Sequence, residues 1–479
     1  MAYKNLLKQA ASLTAAFSCC LSLAAQAGTP PNLDKDPVAY LHYLQTSTDP
    51  QAVAIRQQIE SGPADLASAR VAAFKEGFVL DPDKLQRPLP PEGQNAALLY
   101  IKLAKMLKER PLNLPFHAQP LRGGQNYTPE QIAAVKHIYT RRPEVWVLLH
   151  QAADAPQCVG VRDWKSPFGN VFPALAIYRE AERLLTTETC LLAAEGKYTD
   201  AVKNQTRGFR VAQQVASDPT LINYLVGVAC DSIALSGMRD ILTQAGPNAD
   251  VAAKVLQAIK ISHAPLSLRA ALAGDMALQS GLFEGVRDAL RKNGLPAMES
   301  VLSEAAGSEK GTIDFSKATP ADKAFAFQWL DASEAILLNR MCALVLASDL
   351  PLVARRAAFT SRTESNPSPV FILPNIMLPS FERMADQLAR LAAQEAVVEA
   401  GADAIGLWTK DGGFPASLPG MFPDPFTDKP LGYRREGANG FVVYSAGPDG
   451  KFEGGTSGER TPPGQTVFRY QVTNRAAVK

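Results

Sequence analysis

The chain has 479 residues, 46% of them apolar and 20% charged, with a formal net charge of +2 at neutral pH. That length allows two or more domains, and the apolar share is enough for a full core. A balance this close to zero offers no polybasic face for nucleic acid or acidic lipid.

Lys4 and Lys8 precede an uncharged, mostly apolar stretch from Ala10 to Ala25, which ends in the small-x-small triplet Ala25-Gln26-Ala27. This is the order of a secretory signal peptide. It predicts that residues 1–27 are removed after Ala27 and that the mature chain is periplasmic or secreted. The alternatives are a membrane anchor and a lipoprotein. The stretch is about 16 residues long and is broken by Ser12, Thr14, Ser18 and Ser22, short of the ~20 apolar residues that span a bilayer. Cys19 and Cys20 lie within it, but apolar sequence continues past them and the preceding residues fit a lipobox poorly. No later run is expected to reach spanning length, so no membrane span is expected in the mature chain.

Beyond the signal lie Cys158, Cys190, Cys230 and Cys342. An even count in an exported chain permits two disulfides. Cys190, Cys230 and Cys342 sit in apolar helical stretches, which favours buried free thiols.

From Asp34 to Asp349 the pattern is helical. Thr128-Pro129-Glu130-Gln131 reads as a capping box with proline in the first turn. Ile132, Val135 and Ile138 follow at helical spacing, with a stop near Arg142-Pro143. A second helix is predicted over Glu144–Ala153. Three more span Pro173 to Thr243, broken at Gly196-Lys197-Tyr198 and Ser217-Asp218-Pro219. The turn Ala194 to Ala201 resembles that of a tetratricopeptide repeat, although no period of ~34 residues recurs. Further helices are expected near Pro247–Lys260, Leu266–Lys292 and Ala321–Ser348, with a polar loop from Gly294 to Thr319. The expected architecture is mainly α: antiparallel helical hairpins, α-solenoid-like, over residues 28–359. Residues 360–370, rich in Ser, Asn and Pro, are the expected linker.

Residues 371–479 change style. Phe371 to Leu378 leads into a long amphipathic helix through Phe381, Met384, Leu388, Leu391, Val398 and Ile405, ending at Lys410-Asp411-Gly412-Gly413. Strands are predicted at Gly432–Arg435, Phe441–Tyr444 and Thr466–Val472. Gly412-Gly413-Phe414-Pro415, Asp424-Pro425-Phe426, Tyr433, Tyr444-Ser445, Gly447 and Asp449-Gly450 come in the order of the globular end of the type II secretion major pseudopilin. The last ~105 residues therefore resemble that family, and the chain looks like the secreted bacterial proteins that carry such a tail behind a helical body. The resemblance implies a small α+β module and a calcium loop at Ser445 and Asp449. Glu453 is added as a plausible further ligand, and Glu459 lies within reach if the loop folds back. Calcium takes six to eight oxygens, which a glycine-rich loop can supply in part from its carbonyls. Here Phe452-Glu453 stands where the family has aspartates, and the internal position of the long helix does not imply assembly into a pseudopilus.

Signals for catalysis are sparse. His42, His117, His137, His150 and His263 show no metal-ligand spacing, and no nucleophile elbow occurs. His150 reads as a packed residue on an apolar helix face. Cys158-Val-Gly-Val-Arg-Asp-Trp164 is the densest polar-aromatic cluster and could line a pocket, although Trp164 reads more readily as a core plug. The sequence thus points to a non-catalytic protein-binding or scaffold protein of the cell envelope, with an unidentified protein partner. An envelope enzyme with its site in the helical body is the alternative, and an accessory of a secretion or pilus-like system is a third.

Overall fold

A computed structural model of the chain describes residue 31 and residues 37–112, 128–160, 175–296, 318–363, 370–378, 381–411, 413–418, 420, 422–455 and 465–472. The expected signal peptide, Trp164 and Glu459 lie outside these residues. The fold is mainly α, with a small three-stranded antiparallel sheet. In chain order the α-helices are α1 (Pro37–Thr46), α2 (Pro50–Glu60), α3 (Gly62–Lys75), α4 (Ala96–Glu109), α5 (Pro129–Arg141), α6 (Pro143–Asp154), α7 (Leu175–Ala194) and α8 (Tyr198–Ala216). They continue with α9 (Leu221–Ala245), α10 (Ala249–Ser262), α11 (Leu268–Asn293), α12 (Pro320–Ala347), α13 (Leu352–Thr363), α14 (Ile372–Met377) and α15 (Phe381–Asp411).

Local chemistry sets many of these boundaries. At α5 both halves of the capping box form: Gln131 N–H donates to Thr128 Oγ1, and Thr128 N–H donates to Gln131 Oε1. Gly196 closes α7 with a φ of 73°, a conformation that favours glycine. The chain then reverses, so that Asn204 of α8 donates to Leu185 O of α7 while Gly208 lies against Glu182. That pairing makes α7 and α8 an antiparallel hairpin. Helix α13 extends into the stretch expected to be linker, because Phe359 is buried and Thr360 Oγ1 bonds back to Arg356 O, keeping the last turn helical.

One expectation needs correction. Helix α9 is long and apolar enough to cross a bilayer, and about two-thirds of that window is buried inside the protein. It is the helix around which its neighbours pack, and it carries Asp231 and Asp240 among its buried residues.

Strands β1 (Gly432–Arg435), β2 (Gly440–Tyr444) and β3 (Val467–Gln471) form a sheet in the order β1-β2-β3. Tyr433 faces Val443, and Phe441 faces Tyr470. The sheet folds onto α15 through Phe441, Phe468 and Tyr470, in one core with Val397, Val398 and Ile405. That same core contains Phe209 of α8, Met238 and Ile241 of α9, and Val255 and Ile259 of α10. A second core joins α1–α3, α11 and α12 to Phe371, Phe381 and Met384. Trp329 Nε1 of α12 also donates to Val370 O. The C-terminal segment therefore shares both cores with the helices before it.

Gly401 is where α15 comes closest to the sheet, and the Phe468 ring leaves no room for a β-carbon there. Gly401→Val is expected to lower unfolding stability by about 2 kcal/mol in a denaturant titration, overpacking outweighing the gain in helix propensity. Gly285→Ala in α11, where nothing lies within 4 Å, should be neutral or stabilising by up to ~1 kcal/mol.

Candidate functional site

The loop after β2 serves its own turn. Ser445 is fully buried, its N–H donates to Thr466 O, and its hydroxyl has no partner. Asp449 is exposed, its Oδ1 accepting Lys451 N–H at 3.1 Å, and Glu453 is exposed. The Asp-Pro-Phe corner anchors this loop. Asp424 Oδ1 accepts from Phe426 N and Thr427 Oγ1, and its Oδ2 accepts from Ala446 N at 2.9 Å. The cation seated here is Arg356 of α13. It donates to Pro448 O at 2.8 Å and to Asp386 at 2.7 Å, with its guanidinium 5.6 Å from the Phe426 ring centre. Among the described residues no three His, Cys, Asp or Glu side chains converge as a metal-binding group. Among the described residues the donors fall short of the six to eight oxygens calcium takes.

A set of buried ionisable groups lies where α15 meets α9 and α10. His263 follows the last residue of α10, and its side chain is 8% exposed. Its Nε2 lies 2.7 Å from Asp231 Oδ2 on α9, and its Nδ1 lies 2.8 Å from Glu395 Oε1 on α15. With a carboxylate on each ring nitrogen, the imidazole is doubly protonated. Burial works against that charge, but the two carboxylates prevail and hold the imidazole up to about 10. The Phe209 ring packs 5.2 Å away. One turn along α15, burial and the charge on Glu395 push the Glu399 carboxyl upward. Beside this trio Gln394 donates to Ser232 O and Ser236 Oγ and accepts from Ser232 Oγ.

Deeper in, Glu182 of α7 is fully buried. Its Oε1 accepts Gln205 Nε2–H at 3.0 Å, and its Oε2 has no partner. Burial, with the charge on Asp231, pushes this carboxyl well above the usual range, which favours its neutral form. Gly208 makes room for Glu182, and Gly237 makes room for Gln205.

Two other clusters are also tied up internally. Glu334 of α12, fully buried, accepts from Arg70 of α3 at 3.0 and 3.1 Å and from Ser280 of α11 at 2.6 Å, with the Arg287 guanidinium 2.6 Å away. His150 of α6 meets Glu188 Oε2 of α7 at 2.6 Å, and Tyr139 of α5 donates to Glu188 Oε1 at 2.9 Å. Cys158 is buried, its Sγ 3.3 Å from Tyr178 Oη, and residues 161–164 of that polar-aromatic cluster lie outside the described residues. All four described cysteines are free thiols.

Sequence reasoning passed over the His263 trio because its members stand 32 and 132 residues apart. The signal that could have found it is Asp231, an acid at the centre of an apolar helix. No family model, curated protein or solved structure matches the chain.

One half-buried acid makes stability measurable against pH. Asp275 of α11 accepts Leu221 N–H at the start of α9, and burial raises its carboxyl to about 6. Because the folded value is raised, its contribution is fully present below the unfolded value near 4 and is lost as pH rises through about 6. Across that window the difference in stability between wild type and Asp275→Asn should change by about 1 kcal/mol per pH unit, read from denaturant melts at pH 4, 5, 6 and 7.

Proposed function

We propose that the chain is an exported protein of the cell envelope that binds a protein partner as a non-catalytic scaffold. The observation that carries this reading is a group of exposed apolar side chains at one end of the α3–α12 pair. Phe74 is 60% exposed, and Val71, Val79, Leu346 and Leu350 are exposed as well. They belong to one end because Arg269 stacks on Phe78, 5.4 Å from its ring centre, and pairs with Asp349 at 2.6 Å. Where exposed apolar side chains form a contiguous patch, they mark protein-binding surfaces.

The charge states of the interior support the same reading. A general base works best with a pKa near the working pH. His263 is held at about 10 between two carboxylates, so at neutral pH it is a fixed cation, suited to holding helices together. The helical hairpins supply a rigid frame for a docking face. Export is inferred from the N-terminal signal pattern.

Full-length protein recovered from the periplasm is expected to begin at Gly28, and retention of residues 1–27 would remove the export premise. From envelope extract, wild type is expected to capture a specific partner whose recovery falls at least tenfold with Phe74→Ser, as aromatic anchors dominate interfaces. An identical set of proteins at equal yield from both, or no specific partner at all, contradicts the proposal.

A further inference from the structure

The seam between α15 and the helical body has an unusual makeup. Most of it is apolar, from Val397, Val398, Ala402 and Ile405 on one side to Val255 and Ile259 on the other. Set into that surface is the imidazolium of His263, gripped from two different helices. Four acids bear on it. Asp231 and Glu395 touch it, Glu399 feels its charge from one turn along α15, and Glu182 of α7 stands behind Asp231. From α8 it meets only the Phe209 ring, and Lys260 on its own helix is exposed. A second cation, Arg356 of α13, meets α15 at Asp386, apart from this trio.

We propose that the Asp231–His263–Glu395 trio is a latch. It holds α15 and the sheet that α15 carries closed on α9 and α10, and losing the trio's charge pairing lets that unit open ahead of the rest of the chain. The physical reason is the asymmetry of buried ion pairs. A complete, hydrogen-bonded set is close to neutral in free energy, whereas a single charge left without its partner in the interior is strongly destabilising. Glu395 is about one-third exposed, so water reaches the trio from the α15 side, while Asp231 is almost fully buried. Opening starts where solvent already has access. Proteins open in such cooperative units at free energies below that of global unfolding. The sheet moves with α15 because Phe468 is packed against Gly401 and shares a core with Val397 and Val398.

The pH behaviour follows from the same contacts. The imidazole is raised in the folded chain, so its contribution is fully present below the ordinary value of 6.5 and is lost as pH rises through about 10. The latch is closed through the neutral range.

Amide hydrogen exchange on the full-length protein at pH 7 tests the latch, with peptides covering α15 and β2 compared against peptides covering α7. His263→Gln is expected to raise exchange in α15 and β2 at least about 100-fold and to leave α7 within about threefold. Glu395→Gln, whose amide keeps a hydrogen bond to the ring from a half-solvated position, should open the same two segments by a smaller factor. It also serves as the readout should His263→Gln fail to fold. In wild type, exchange in α15 corrected for the intrinsic effect of pH should climb as pH approaches 10, and in His263→Gln it should not. Uniform loss of protection across α7, α15 and β2, or no change in α15, overturns the proposal, as does the same alkaline rise in both proteins.

Discussion

A buried imidazolium with a carboxylate on each nitrogen sits at the joint between the C-terminal helix and α9 and α10. Helix α15 is rich in alanine, and its apolar face would slide along a neighbour with little penalty if shape alone guided it. His263 removes that freedom. Its two hydrogen bonds are met only when Asp231 of α9 and Glu395 of α15 lie on either side of the ring. Directional contacts of this kind select one arrangement among several of similar apolar burial, the role best attested for polar groups set into cores. The sheet inherits its placement, since Phe441, Phe468 and Tyr470 pack on α15 in the same core.

The rest of the interior repeats this device. Glu334 holds α3, α11 and α12 together through Arg70, Ser280 and Arg287. Glu188 joins α5, α6 and α7 through Tyr139 and His150. Glu182 takes the other solution to burying an acid: in space left by Gly208, burial pushes its carboxyl well above the usual range and favours the neutral form. Buried charges are tolerated only when paired, and unpaired acids only when protonated. These clusters follow both rules, and each lies where three or more helices meet. Their joint effect is a rigid helical frame, consistent with a protein whose working surface is outside its core.

Much of the local structure was legible in the residues. The capping box at Thr128 and Gln131, the reversal at Gly196, the long helix from Phe381 and the strands near Gly432, Phe441 and Val467 all rest on short-range patterns, and all are present. The end of α13 was not legible, because Ser and Thr near a helix terminus look like linker until the burial of Phe359 is known. The apolar length of α9 was underestimated, since its scattered acids interrupt the run by eye while leaving its average high. The candidate site was least visible. Asp231, His263 and Glu395 carry no motif, and their proximity exists only once α10 and α15 have packed. By contrast Ser445, Asp449 and Glu453 were conspicuous in sequence, and their described contacts are those of a turn stapled by Asp424 and crossed by Arg356.

The account stands on the charge of one ring. An NMR titration of the His263 imidazole in the folded full-length protein reads it directly. The ring resonances should hold the charged position from pH 6 to beyond pH 8 and begin to move only as pH nears 10. A midpoint close to the ordinary 6.5 would mean that Asp231 and Glu395 do not clamp the ring, and the latch would be contradicted.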